Sequence, residues 1–263
     1  MFLSDIFTFN CNERMGSLRG ARVALIACGS FNPPTYMHLR MFECARDVLE
    51  KKYGCDVVEG IISPVSDHFP KPGLLPSKHR LRMVELATRN SNWIHVDDWE
   101  CAQGTWTRTI AVLKHFKMML SRRDSGNTHL MLLCGGDVVD SFTKFTPSGT
   151  HLWEPADVSE IIRDFGLVVI YRRNSQPQAT FRKLSLAKQL LDNVYVVNDD
   201  VLPNDISSTR LRAAIKSGHS IKYCTDDAVI EYIASNGLYR GADDEKVVDS
   251  NEREKLISEP SVR

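Results

Sequence analysis

The sequence predicts an α/β fold, a mostly parallel sheet covered by helices on both faces. Two observations carry that expectation. Short apolar runs alternate along the chain with longer stretches of helical periodicity, the order expected when each strand is followed by a crossover helix. Glycine turns at Gly29 and at Gly135-Gly136 stand directly after two of those runs, at the carboxyl ends of strands, where sheets of this kind bind ligands.

The elements follow in order. Val23–Cys28 is an apolar run of six residues, short enough for a strand buried on both faces. Gly29 ends it, and Asn32-Pro33-Pro34 prevents continuation as strand or helix. Thr35 occupies an N-cap position for an amphipathic helix over Met37–Lys52, and Gly54 offers its C-cap. Val57–Ser63 reads as the second strand. The loop from Pro64 to Pro76 carries four prolines, Gly73 and Lys71. Ser77 caps a helix reaching Arg89, with Leu81, Val84 and Ala87 or Thr88 on one face, and Trp93–Val96 is a short strand. Trp106, Ile110, Leu113, Phe116 and Leu120 recur at helical spacing, and Ser121–Thr128 is a polar loop. Leu130–Cys134 is a strand stopped by Gly135-Gly136-Asp137. The second half repeats the alternation: helix Pro155–Asp164, strand Leu167–Tyr171, a weaker helix Thr180–Leu191, strand Val194–Val197, a helix opening within Ile206–Arg212 and ending near Gly218, and a last helix Asp226–Ser235. Residues 23–240 form one domain with no linker that demands a second. Residues 1–22 read as a flexible extension and 241–263 as a disordered charged tail.

Composition narrows the function. The 33 basic and 33 acidic side chains cancel, which argues against a broad nucleic-acid surface while allowing a local basic pocket. The longest apolar runs have six residues, against roughly 20 for a membrane-spanning helix, so a soluble chain is expected. Seven cysteines without a Cys-x-x-Cys pair fit neither a disulfide framework nor a zinc site. Reduced thiols follow, and with them an intracellular location, cytoplasmic or nuclear in preference to mitochondrial.

Two stretches carry chemistry. After Val23–Cys28, a strand, a glycine turn and a helix start leave backbone N–H groups facing open space, as a phosphate requires. His38 lies in that helix's first turn and can face the same anion. Near the other end, Ser207-Ser208-Thr209 places three hydroxyls at a helix start, with Arg212 on the face of Thr209 three residues later. An arginine fork holds two phosphate oxygens at once. Taken singly, the first stretch also fits an ordinary strand–loop–helix connection and the second a capped surface helix.

Together they are more specific. Gly29-Ser-Phe-Asn-Pro33 followed by Thr35-x-x-His38 resembles the first signature of the nucleotidyltransferase superfamily, in the form used by eukaryotic nicotinamide-nucleotide adenylyltransferases. Ile206-Ser-Ser-Thr-x-x-Arg212 resembles the second. Gly60-Ile-Ile-Ser-Pro64 with Lys71-Pro-Gly-Leu, Trp99-Glu100 with Trp106 and Thr109, Leu132–Asp137, Leu152-Trp153, Gly166-Leu with Arg172, and Asn204–Thr209 are similar to segments of the nicotinamide branch. The resemblance covers residues 23 to about 240.

It implies a Rossmann-like nucleotidyltransferase fold and a defined set of roles. The enzyme would transfer AMP from ATP to nicotinamide mononucleotide (NMN) or nicotinic acid mononucleotide, forming NAD or deamido-NAD and pyrophosphate. Gly29, Ser30 and Phe31 would line the dinucleotide site. His38 and Arg212 would bind the ATP phosphates, with Ser207, Ser208, Thr209, Arg210 and Leu211 around them. Lys71 would hold the mononucleotide phosphate and, with His38 and Arg212, complete the catalytic set. Trp106 and Trp153 would stack on the pyridine, near Thr109 and the Leu152 backbone. Gly135 and Asp137 would meet the adenosine ribose, and Arg172 and Asn204 the nucleotide surroundings. Mg²⁺ or another divalent cation would be held mainly by ATP oxygens and water, without protein ligands. No nucleic acid is implied, and a homo-oligomer is.

Some positions keep a second reading. Trp106 fits a core helical stripe equally well, Lys71 a solvated loop charge and Asp137 a helix N-cap. Thr35 stands where bacterial members have histidine, Pro34 and Tyr36 are unusual neighbours, Gly136 stands where alanine is commoner, and Thr143–Thr150 reads as an insertion just before Leu152-Trp153. A sibling enzyme with another phosphorylated acceptor would share both signatures but not the two tryptophans. A further, client-binding role is compatible with the same motifs.

Overall fold

Among the described residues, β1 (Arg22–Gly29), β2 (Asp56–Pro64), β3 (Ile94–Val96), β4 (Thr128–Gly135), β5 (Leu167–Ile170) and β6 (Val194–Val197) form one sheet in the order β3-β2-β1-β4-β5-β6, every neighbouring pair parallel. The structure is a computed structural model that describes residues 18–146, 148–172, 175–184, 186, 188–202 and 205–241. Among the described residues the helices are α1 (Tyr36–Tyr53), α2 (Ser77–Thr88), α3 (Thr109–Asp124), α4 (Gly136–Val139), α5 (Pro155–Asp164), α6 (Pro177–Lys183), α7 (Lys188–Leu191), α8 (Ser208–Lys216) and α9 (Asp227–Ser235). The expected α/β fold is observed. None of these helices is long and apolar enough to cross a membrane.

The two-residue period of a strand divides the core between the sheet's faces. Val23, Leu25 and Ala27 of β1 join Met131 and Leu133 of β4 under α1, which contributes Phe42, Ala45 and Leu49. Ala24 and Ile26 join Leu130, Leu132 and Cys134 on the other face, against Ile110, Leu113 and Phe116 of α3 and Val158 and Ile162 of α5. Both faces are covered, which is why the strands read as continuous apolar runs. A third cluster gathers Met83 of α2, Leu211 of α8 and Val229 and Ile233 of α9. It fixes the start of α8 beside the sheet. Leu18, ahead of β1, is also buried in the first cluster. Arg22, expected to end the flexible N-terminal extension, instead opens β1, because it joins the sheet beside Asp56 and Thr128. Residues 1–17 of the extension, and residues 242–263 of the expected tail, lie outside the described residues.

The differences from expectation have local causes. Helix α3 begins at Thr109 and continues to Asp124, so Trp106 precedes the helix and part of the expected polar loop is helical. Ser77 does not cap α2; Pro76 holds the N-cap position. The Asp67 carboxylate instead accepts the Ser77 amide at 2.7 Å and the Ser77 hydroxyl at 2.9 Å, so the cap comes from the preceding loop. The buried face of α2 is Arg80, Met83, Val84, Ala87 and Thr88, with Leu81 only half-buried. The single helix expected over Thr180–Leu191 is two, the first opened by Pro177 at its N-terminus. Gly135-Gly136 does not end in a loop but turns directly into α4.

Candidate active site

The sheet opens at one place. Strands β1 and β4 pair from Arg22–Thr128 as far as Ile26–Leu132. Each then runs on, to Gly29 and Gly135, paired only with its outer neighbour. Strand order reverses here, and α1 and α5 leave toward opposite faces, so a crevice forms at the carboxyl ends. A cavity of about 490 Å³ occupies it.

One end of the cavity is cationic. His38, Lys71, Arg172 and Arg212 all line it. Lys71 Nζ donates to Ser30 Oγ at 2.9 Å, which places the ammonium over the glycine turn. Desolvation at this mouth, then the fields of Arg212 and Arg80, lowers the Lys71 pKa. Arg212 Nη1 donates to the Asn32 carbonyl at 2.8 Å, leaving its Nη2 beside Thr209 Oγ1 at 3.5 Å. Arg172 stands just beyond β5 with Nη1 3.9 Å from the Asp137 carboxylate. Its Nε is buried against Gly135 and has no hydrogen-bond partner among the described residues.

Thr35 and His38 form a reciprocal cap at the start of α1. The Thr35 backbone N–H donates to His38 Nδ1 at 3.0 Å. An amide can only donate, so in the neutral ring the proton sits on Nε2. Burial, followed by the positive charge of Arg172, holds the His38 pKa down to about 4, with Lys71 adding to the effect. At neutral pH His38 therefore offers the cavity an uncharged N–H donor. Phe31 packs edge-on to its ring, with centroids 5.2 Å apart.

The other end is aromatic. Trp106 is 43 % exposed, lines the cavity and leans on Phe69 with ring centroids 5.7 Å apart. It is therefore not part of a core helical stripe. Trp153 is half-buried, its Nε1 donating to Ser141 Oγ at 2.8 Å and its ring edge-on to Phe142 at 4.9 Å. The segment expected as an insertion turns back on itself. Phe145 bridges His151, and Thr146 and Thr150 bond across the turn, which returns Leu152 and Trp153 to the cavity wall beside Thr109. The Leu152 N–H is spent on the Lys144 carbonyl.

Gly29, Ser30, Phe31, Gly135, Asp137, Ser207, Ser208 and Thr209 also line the cavity. A Cβ on Gly135 would collide with the Asp137 carboxylate, and one on Gly136 with the Ser175 hydroxyl, so the unusual glycine at 136 answers to Ser175. Arg210 and Leu211 are not brought to the cavity. Leu211 is buried in the third cluster, and Arg210 donates to the Asp205 carbonyl. Ser207 is the N-cap of α8, accepting from the Arg210 amide, and Ser208 Oγ donates to the Pro33 carbonyl at 2.8 Å. Both hydroxyls are thus engaged in building the site. Asn204 lies outside the described residues.

Three residues not singled out by the sequence shape the cavity. Asn32, 1 % exposed, donates to the Gly73 carbonyl and accepts from Tyr239 Oη, both at 2.7 Å. Arg80 is fully buried and donates to the carbonyls of Leu75, Ser30 and Val65 and to Asp67, so it ties the Ser30 turn to the Lys71 loop. Its spacing with Val84 and Ala87 was the available signal, an arginine on an apolar helix face. Glu100 is 3 % exposed, lines the cavity and accepts from Ser63 Oγ at 2.5 Å; the sequence marks Trp99-Glu100 through the family resemblance but gives the acid no role.

Comparison with known proteins agrees with this geometry. Residues 26–214 match the Cytidylyltransferase-like family. The chain is 49% identical over 220 residues to nicotinamide/nicotinic acid mononucleotide adenylyltransferase 2 of Caenorhabditis elegans, covering 83% of this chain and 98% of that protein. It is 43% identical over 233 residues to the nicotinamide/nicotinic acid mononucleotide adenylyltransferase of Oryza sativa subsp. japonica, covering 88% and 90%. The fold matches that of Plasmodium falciparum nicotinic acid mononucleotide adenylyltransferase complexed with NaAD, with a TM-score of 0.58 at 19% identity over 83% of this chain and 97% of that one. The chain belongs to the Cytidylyltransferase-like family and, within it, to the nicotinamide/nicotinic acid mononucleotide adenylyltransferases.

Proposed function

We propose that the protein transfers AMP from ATP to nicotinamide mononucleotide or nicotinic acid mononucleotide, forming NAD or deamido-NAD and pyrophosphate. One observation carries the reading beyond kinship. A single crevice at the sheet's switch point joins a cationic end, built by His38, Lys71, Arg172 and Arg212, to an aromatic end built by Trp106 and Trp153. Phosphates suit the first and a flat pyridine suits the second.

The acceptor's 5′-phosphate is already an anion at neutral pH, so it needs no general base. One of its oxygens attacks the α-phosphorus of ATP, the bond to the bridging oxygen breaks, and pyrophosphate leaves. Catalysis then consists of alignment and of donors aimed at the charge that moves onto the leaving group. Lys71 and Ser30 hold the acceptor phosphate. The Arg212 fork and the His38 Nε2–H face the triphosphate. A neutral His38 supplies direction without adding to the repulsion among Lys71, Arg172 and Arg212.

Apart from the Asp137 carboxylate beside Arg172, the groups named at this end are nitrogens and hydroxyls that suit phosphate oxygens rather than a cation. We therefore place Mg²⁺ on the ATP oxygens and water, where it would supply charge neutralisation when bound.

The test is turnover by the purified chain with ATP, Mg²⁺ and a panel of phosphorylated acceptors, following pyrophosphate. The two pyridine mononucleotides are expected to react. Faster turnover of phosphopantetheine or phosphocholine would overturn the assignment.

A further inference from the structure

We propose that Glu100 sets the preference between the amide-bearing and the acid-bearing pyridine mononucleotide, and that its protonation makes this preference depend on pH. The inference rests on the function proposed above. Glu100 stands on the connection between β3 and α3 that also carries Trp106 and leads into Thr109, the first residue of α3, and it lines the same cavity as both. Only 3 % of it is exposed. Its Oε2 accepts from Ser63 Oγ at 2.5 Å, and no cation among the described residues lies within ion-pair distance of it. The other cavity carboxylates differ. Asp157 faces Arg108 at 3.2 Å and Asp137 faces Arg172 at 3.9 Å, while Glu154 is open to solvent.

Burial raises the Glu100 pKa to about 7, against the lowering effects of the Ser63 hydrogen bond and of Arg80. The groups coupled to it come from several elements. Cys28 from β1 and Cys101 from its own turn are pushed above the usual thiol range by burial. Arg80 from α2 has its guanidinium held by Asp67 at 2.7 Å. Across the cavity His38 is neutral. Of these, Glu100 is the group whose charge changes near neutral pH.

The two acceptors share the pyridinium cation and the phosphate. They differ in one substituent, a neutral carboxamide or an ionised carboxylate. An ionised Glu100 attracts the pyridinium of both alike but repels only the carboxylate. A protonated Glu100 removes the repulsion and offers the carboxylate a donor. Comparing the two substrates therefore cancels every titration they have in common.

The experiment measures kcat/KM for both mononucleotides between pH 6 and 8.5. The acid-to-amide ratio is expected to fall roughly tenfold as pH rises, the scale of one carboxylate repelling another across a partly screened cavity. Glu100→Gln keeps the shape and the acceptor for Ser63, and its ratio should stay flat at the wild-type low-pH level. Ser63→Ala removes a hydrogen bond that favours the carboxylate, so its transition should move to higher pH; this variant serves if Glu100→Gln fails to fold. A wild-type ratio independent of pH, or an unchanged slope in Glu100→Gln, overturns the proposal. Turnover of neither mononucleotide at any pH would instead overturn the function itself.

Discussion

Arg212 donates to the backbone carbonyl of Asn32 at 2.8 Å, across 180 residues of sequence. The start of α8 and the Gly29–Pro33 turn are thereby one structure, reinforced by Ser208 bonding Pro33 and Tyr239 bonding Asn32. The guanidinium is half-buried, lines the cavity and is fixed by Nη1, with Nη2 beside Thr209 Oγ1.

Replacing Arg212 by alanine should lower turnover by roughly 10²–10³, the usual cost of one donor to developing charge. Arg212→Lys should recover little, because a single ammonium cannot hold Asn32 and a phosphate together. Turnover is measured beside a thermal melt. Near-normal turnover in a folded Arg212→Ala protein would remove Arg212 from the mechanism.

Arg80→Met should destabilise the fold by about 3–5 kcal/mol, since it strands buried carbonyls and the Asp67 carboxylate. The surviving protein should show a raised KM for the mononucleotide, because Ser30 and the Lys71 loop lose their common anchor. A denaturant titration with steady-state kinetics checks both. Unchanged stability would mean that the bonds to Leu75, Ser30 and Val65 contribute nothing net.

The two tryptophans should separate. Trp106→Ala, at an exposed platform, is expected to raise the mononucleotide KM by the equivalent of about 1–3 kcal/mol of stacking while leaving the melting temperature in place. Trp153→Ala should do the same and also lower the melting temperature, because its indole is half-buried and bonded to Ser141. Equal effects on the KM for ATP would show that neither ring faces the pyridine.

His38 has a folded pKa of about 4 against an ordinary value of 6.5. The unfolded chain binds the proton more readily, so stability from this group is fully present above pH 6.5 and is lost as pH falls toward 4. Wild type should lose about 1–2 kcal/mol more than His38→Gln between pH 7 and pH 5. Parallel denaturation curves for the two proteins would contradict the neutral assignment.

The elements that position the site were legible because their patterns are strong. Val23–Cys28, Gly29 and the helix from the Thr35 cap are set by composition and local backbone chemistry. Trp106 was not decidable, because a residue four positions before Ile110 has the same spacing whether it stands in the helix or just ahead of it. Asp67 capping Ser77, and Arg80 tying the two loops, depend on partners brought together only by the parallel sheet. The burial of Glu100 follows from the same cause: a short polar turn folds under the end of β2, and nothing local to Trp99-Glu100 records that. Arg210 and Leu211 show the opposite error, where adjacency to Thr209 and Arg212 suggested a role that the helix turns away from the cavity.

The proposed reaction passes the adenylyl group directly from ATP to the pyridine mononucleotide. Its stereochemical course can be read with ATP carrying sulfur at the α-phosphorus in one configuration and NMN as acceptor, from the configuration of the dinucleotide formed. A single in-line displacement, with the acceptor phosphate held by Lys71 and the triphosphate by Arg212 and His38, inverts that centre. Retention of configuration would require an adenylylated protein intermediate and would contradict the account.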